Sequence, residues 1–202
     1  MLRLRQDITL FPGGRKKAFT LSSDDGITQD IRLTELMRKY GIKGTFHLNS
    51  GLMGDRDWLI QPGIDVSHYK LRRDEIKEVY DGFEIAVHTM THPDLTTVPS
   101  SMAAWEISEN KRDLEALTGH PISGMSYPFG TYNDSVLETV RICGILYSRT
   151  VITTDTFRLP ENFLTWHPTC HYCADNRMEL AEKFLEENAD EEYLSPSLFY
   201  VW

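Results

Sequence analysis

Two short segments carry residues whose types and spacing could do metal chemistry. Asp24-Asp25-Gly26 sets two adjacent carboxylates ahead of a glycine. His88-Thr89-Met90-Thr91-His92 has the i, i+4 spacing that would place both imidazoles on one side of a helical turn, close enough to share one ion. Each has a plain structural explanation. H-x3-H matches are often accidental, and Asp-Asp-Gly can be a turn with Asp as cap and Gly at positive φ. Paired carboxylates and paired imidazoles at equivalent strand ends are harder to explain structurally. Two histidines and one aspartate with open positions suit a borderline divalent ion such as zinc, cobalt or nickel, which acidifies a water in its open position. The spare aspartate could serve as base, since successive strand side chains point opposite ways.

A second cluster, His167-Pro168-Thr169-Cys170-His171, repeats the x3 spacing and overlaps Cys170-x2-Cys173. It reads as a histidine lining the catalytic cleft or as a satisfied surface histidine. A structural zinc knuckle is disfavoured by Pro168 and by the lack of two separated ligand couples. His47 reads as a core or hydrogen-bonded residue that could line the pocket, and His68 and His120 as loop residues.

These residues need strands to deliver them. Lys17 to Ser22 is a β-rich run closed by Asp24-Asp25-Gly26, and Asp30 to Tyr40 then carries helical apolar periodicity. Gly41 and Gly44 flank a helix stop, followed by a strand Thr45 to Asn49 and a loop-rich stretch Ser50 to Tyr69. A helix Arg72 to Tyr80 leads to the strand Phe83 to Val87, which delivers His88. Ser100 to Leu117 is an amphipathic helix with Ser100 or Ser101 as N-cap and Gly119 as stop. Ile122 to Tyr127 is a strand ended by Pro128-Phe129-Gly130, and Asn133 caps a helix to Cys143. A strand Ile145 to Ser148, a helix Arg177 to Asn188 and a strand Leu198 to Trp202 complete the chain. The alternation predicts a single α/β domain over 1–202, with the polar clusters at strand ends, the face where α/β barrels bind ligands.

Composition agrees: 202 residues, 41% hydrophobic and 25% charged, are the proportions of an ordinary globular domain. A net charge of -9 argues against a nucleic-acid partner, because binding phosphates needs clustered cations, and Arg15-Lys16-Lys17 is a short strand entry. No secretory h-region or membrane-length apolar run is seen, and three cysteines fit reduced thiols. The expected location is cytoplasmic, without a membrane partner; oligomeric state is not readable.

The residues also resemble a known family. Thr20-Leu-Ser-Ser-Asp24-Asp25-Gly26 resembles the T-F-D-D-G motif of the polysaccharide deacetylase superfamily, the carbohydrate esterases of family four and their relatives. His88-Thr-Met-Thr-His92 resembles its H-[ST]-x-x-H motif, and Met125-Ser-Tyr-Pro128-Phe129-Gly130 its R-x-P-[YF]-G motif. The motifs occur in family order. The resemblance implies a distorted (β/α) barrel of about seven strands. It also implies Asp25, His88 and His92 as ligands of a divalent metal, zinc first with cobalt or nickel as alternatives, and Asp24 as general base. The backbone N–H of Tyr127 would be an oxyanion donor, and Pro128 and Phe129 would contact substrate.

Two positions depart from the pattern. Ser126 stands where the family has an arginine that would orient the base, and no histidine acid follows the last strand. The chain is therefore expected to stop before a final motif or to use another acid, His171 first and His167 behind it. The expected activity is metal-dependent removal of an N-acetyl group from a carbohydrate. Alternatives are hydrolysis of a small cyclic amide or imide, suggested by Ser126, and a non-catalytic carbohydrate-binding protein, suggested by the missing histidine.

Overall fold

The β-rich runs and amphipathic stretches become parallel strands and crossover helices. The computed structural model describes residues 10–61, 63–186 and 196–202. Six parallel strands make one sheet in the order β7-β6-β5-β2-β1-β8. They are β1 (Lys17–Asp24), β2 (Gly44–Leu48), β5 (Glu84–Val87), β6 (Gly124–Ser126), β7 (Tyr147–Arg149) and β8 (Ser197–Val201). The main crossover helices are α1 (Asp30–Tyr40), α3 (Ser100–Thr118) and α4 (Asp134–Ile142), while α5 (Arg177–Glu186) precedes β8. Residues 187 and 188, expected in this last helix, lie outside the described residues. Because parallel strands share one direction, their C-terminal ends meet at one rim, and the polar motifs all stand there.

The sheet does not end at two open edges. Trp166 bridges in parallel to Arg149 beside β7, and Cys170 bridges in parallel to Val201 of β8. Trp166 N–H donates to Ser148 O at 2.8 Å, and Trp202 N–H donates to Cys170 O at 3.1 Å. The run 166–170 thus spans from one edge strand to the other, curling the sheet into the distorted α/β barrel expected, with this irregular stave as its seventh member.

The core lies between the sheet and its helices. Phe46, Leu48, Val87, Met125 and Tyr127 pack with Ile107 and Leu114 of α3 and Val140 of α4. A second cluster, Phe157, Cys170, Leu180, Phe184 and Phe199, seats α5 beside β8. Each such buried side chain contributes about 1.5–3 kcal/mol relative to exposure. Gly44 is required by packing: a Cβ there would stand 2.3 Å from the Leu21 carbonyl oxygen, on the paired strand.

Several local expectations need correction. The stretch 50–69 is no simple loop: β3 (Arg56–Gln61) and β4 (Ile64–Tyr69) form an antiparallel hairpin. Gly63, at φ 81°, punctuates two strands instead of marking a loop. The helix expected over 72–80 shrinks to α2 (Ile76–Val79), its first turn held instead by Glu75, which accepts from Arg72 N–H at 2.8 Å. Neither Ser100 nor Ser101 caps α3; both are helical, and Pro99 precedes them in extended backbone with no side-chain cap. Asn133 does cap α4, accepting from Val136 N–H at 3.0 Å. No helix among the described residues is long and apolar enough to cross a membrane.

Candidate active site

Asp24 is the last residue of β1, and the chain turns sharply after it. Asp25 adopts φ 78°, so regular strand alternation fails, and the two carboxylates do not point to opposite faces. His88 Nε2 lies 3.9 Å from Asp24 Oδ2 and 4.0 Å from Asp25 Oδ1. The dipeptide therefore offers both carboxylates to one space, from different sides.

The two histidines reach that space from a loop, not a helix turn. His88 follows β5, and the segment to His92 contains left-handed residues Thr89 (φ 68°) and His92 (φ 59°). Such backbone is costly for non-glycine residues, about 1–3 kcal/mol each, and persists only where surroundings dictate it. Here they do. Asn110 Oδ1 accepts from His88 N–H at 3.0 Å, and Glu106 accepts from Thr91 N–H at 2.9 Å and from its hydroxyl at 2.6 Å. Asn49, at the end of β2, donates to the carbonyls of His88 and Thr89. Thr89 Oγ1 accepts from His92 N–H at 3.0 Å. Sequence reasoning missed Glu106 and Asn110, although Asn110 interrupts the apolar series Ala103, Ile107, Leu114 of α3. That polar break in a buried stripe is the signal that could have found it.

The result is a compact donor set. One ligand atom from each of Asp25, His88 and His92 can be chosen so that all lie within 4.8 Å of one another. Tetrahedral coordination with bonds of about 2.1 Å needs donors about 3.4 Å apart, a closure within reach of side-chain rotation. Protonation also suits a cation. Burial, with the charge of its neighbour His88, lowers His92 to about 4, and burial lowers His88 against the pull of both aspartates. Burial would raise Asp25, but the hydrogen bond from His68 and the charges around it hold the carboxyl far below its usual range. Two neutral imidazoles and one carboxylate are the forms that ligate. His88 Nδ1 lies 3.0 Å from Ser126 O, so its N–H donates there and Nε2 keeps its lone pair toward the aspartates.

Asp24 has other company. Arg149, at the end of β7 and 1% exposed, donates to Asp24 Oδ2 and packs over the Trp202 ring at 4.7 Å. Ser126 Oγ donates to Asp24 Oδ1 at 3.1 Å and lies 2.8 Å from His88 Nδ1. His47, fully buried, brings Nδ1 to 3.0 Å from Asp24 Oδ1 as a charge contact, off the direction of a good hydrogen bond. Burial pushes Asp24 up, yet the Arg149 guanidinium together with His88 and His47 outweighs it and holds the carboxyl well below its ordinary range. The arginine missing at position 126 is thus replaced from a different strand.

The remaining expected residues sit at the same rim. Phe129, at φ 59° and 63% exposed, sets its ring 4.6 Å from His92, whereas Pro128 is buried beneath it and offers no open contact. The N–H of Tyr127 is committed: it donates to Arg149 O at 3.2 Å, extending the β6–β7 ladder, so an oxyanion role for that atom is not supported. His171 packs against Trp202 with ring centroids 4.6 Å apart, and its Nδ1 accepts from Cys173 N–H at 3.1 Å. His167 Nδ1 contacts Thr150 Oγ1 at 2.6 Å. No zinc knuckle forms among the described residues. His68 stands on β4, with Nε2 3.4 Å from Asp25 Oδ2, and beside it Lys70 Nζ lies 2.9 Å from Asp25 Oδ1. His120 is exposed in a loop, as expected.

Residues 12–148 match the family profile described as polysaccharide deacetylase. Among curated relatives, Bacillus subtilis (strain 168) YxkH, whose name proposes polysaccharide deacetylation, is 24% identical over 131 residues, 64% of this chain and 43% of that one. The fold is similar to the Streptococcus pyogenes deacetylase PplD in complex with acetate (TM-score 0.60, 21% identity, 72% of this chain and 61% of that one). It is likewise similar to BC0361, a polysaccharide deacetylase from Bacillus cereus (TM-score 0.60, 20% identity, 82% and 50%). The chain spans less than two thirds of the length of each.

Proposed function

The chain belongs to the polysaccharide deacetylase family, and from that premise we propose that it hydrolyses the N-acetyl amide of an acetylated carbohydrate with a divalent ion held by Asp25, His88 and His92. Zinc suits the mixed nitrogen and oxygen donors best, with cobalt or nickel next. The observation that carries the reading is the division within one dipeptide: Asp25 shares one donor set with His88 and His92, while Asp24 beside it is held by Arg149, Ser126 and His47.

A bound ion would supply Lewis acidity, polarising the amide carbonyl and acidifying a water. Asp24 stands across His88 from Asp25 and takes the proton of the attacking water. Arg149 and Ser126 fix its orientation, and Ser126 also couples it to His88. With Tyr127 N–H engaged, the N–H of Phe129 is the backbone donor offered to the developing oxyanion. The Phe129 ring gives the sugar an exposed apolar contact. His171 serves as proton donor to the leaving amine; burial, then the Arg149 charge, lowers its pKa, making it the stronger acid once protonated. Arg149 answers one ground for preferring a cyclic amide, the serine at position 126, since the base has its cation after all.

The test is acetate release from N-acetylchitooligosaccharides by the purified protein loaded with zinc or cobalt. Release that depends on the ion supports the reading. A folded, metal-loaded protein that yields no acetate would sink it.

A further inference from the structure

Among the described residues, Lys70 is the one lysine or arginine in contact with the candidate ligand set. Its ammonium is 2.9 Å from Asp25 Oδ1, the same oxygen that lies 4.0 Å from both His88 Nε2 and His92 Nε2. It is not a surface side chain that happened to fold inward. Lys70 follows β4 and bridges antiparallel to Ile27, its N–H donates to Asp55 O at 2.8 Å, and its side chain is 8% exposed. The neighbouring bond from Leu71 N–H to Gly26 O, 2.8 Å, ties this segment to the residue after Asp25. The backbone of Lys70 is therefore paired into the wall of the site, and its ammonium is largely buried against Asp25.

Resting on the metal reading above, we propose that Lys70 is an internal competitor for the divalent ion and sets its affinity low enough for exchange. Two effects act in the same direction. Without the ion, Lys70 neutralises Asp25 and so stabilises the empty site. With the ion about 2.1 Å from Oδ1, Nζ stands no farther from it than about 5 Å, a like-charge repulsion within weakly screened surroundings. The opposing charge leaves the ion lightly held although its ligands are preorganised. His68, on the other carboxylate oxygen, keeps Asp25 oriented when Lys70 disengages.

The experiment is calorimetric titration of metal-free wild type, Lys70→Met and Lys70→Gln with zinc and with cobalt, checked by the rate of ion loss to excess chelator. Both variants should bind at least tenfold more tightly than wild type and release the ion more slowly. Lys70→Gln keeps a hydrogen-bond donor on Oδ1 without the charge, and it decides the matter if Lys70→Met does not fold. Affinity equal to or weaker than wild type in the folded variant overturns the competitor role while leaving the metal site standing. Failure of all three proteins to bind either ion brings down the metal reading, and the inference with it.

Discussion

The wall behind Asp24 and the wall behind Asp25 come from different parts of the chain. Behind Asp24 stand ends of the parallel sheet: His47 from β2, Ser126 from β6 and Arg149 from β7, each nearly without solvent. Behind Asp25 stand His68 and Lys70, brought in by the β3–β4 hairpin, whose Trp58, Ile60 and Val66 remain exposed. Both carboxylates end up ionised, by different means and for different use. Asp24 is pinned by a guanidinium that cannot leave, whereas the partners of Asp25 are a histidine and an amine on a hairpin outside the main sheet. The lesson is that adjacent identical residues acquire separate chemistry from what faces them.

A third aspartate serves as the control. Asp30, 2% exposed at the start of α1, has neutral donors, the hydroxyls of Tyr80 at 2.7 Å and Ser23 at 3.0 Å and the Ile27 backbone. Without a cation, burial wins and its carboxyl rises to about 6.

The comparison can be broken most sharply at the base. Asp24→Ala should lower acetate release by about 10²–10⁴-fold, read at saturating substrate and metal; unchanged turnover would remove Asp24 from the chemistry. Arg149→Met comes next. Leaving the Asp24 carboxylate without its buried partner should cost about 3–5 kcal/mol in urea unfolding, and Asp24→Asn on top of it should recover much of that. Additive losses would show that Arg149 supports the barrel and not the carboxylate. The smallest effect concerns pH. Because the folded pKa of Asp30 lies above its unfolded value, wild type gains from this group below about pH 4 and loses that gain as pH rises to about 6. Asp30→Asn has no such slope, so its stability relative to wild type should improve by about 3 kcal/mol between pH 4 and pH 7. Parallel pH curves for the two proteins would contradict the account of Asp30.

How far this was legible in the sequence follows from range. Asp24, Asp25, His88 and His92 could be picked out because each pair is local and each ends a strand with clear β composition. The family match over 12–148 stops one residue before Arg149, and nothing local marks that arginine as the partner of a carboxylate 125 positions earlier. Pairing of β7 with β6 brings it there, which is a property of topology. Lys70 and His68 were hidden for another reason: the glycine signals around 50–69 read as loop, and only alternation on two short strands reveals that 68 and 70 share a face. The helical turn expected for His88 to His92 failed because Glu106, Asn110 and Asn49 together outweigh local preference.

The central claim is the division of labour between Asp24 and Asp25, and zinc bound per chain in equilibrium dialysis against excess free zinc tests it most directly in Asp24→Ala and Asp25→Ala proteins. The account predicts close to one ion per chain for wild type and Asp24→Ala, and a loss of most of it for Asp25→Ala. Equal zinc content in the two variants would contradict it.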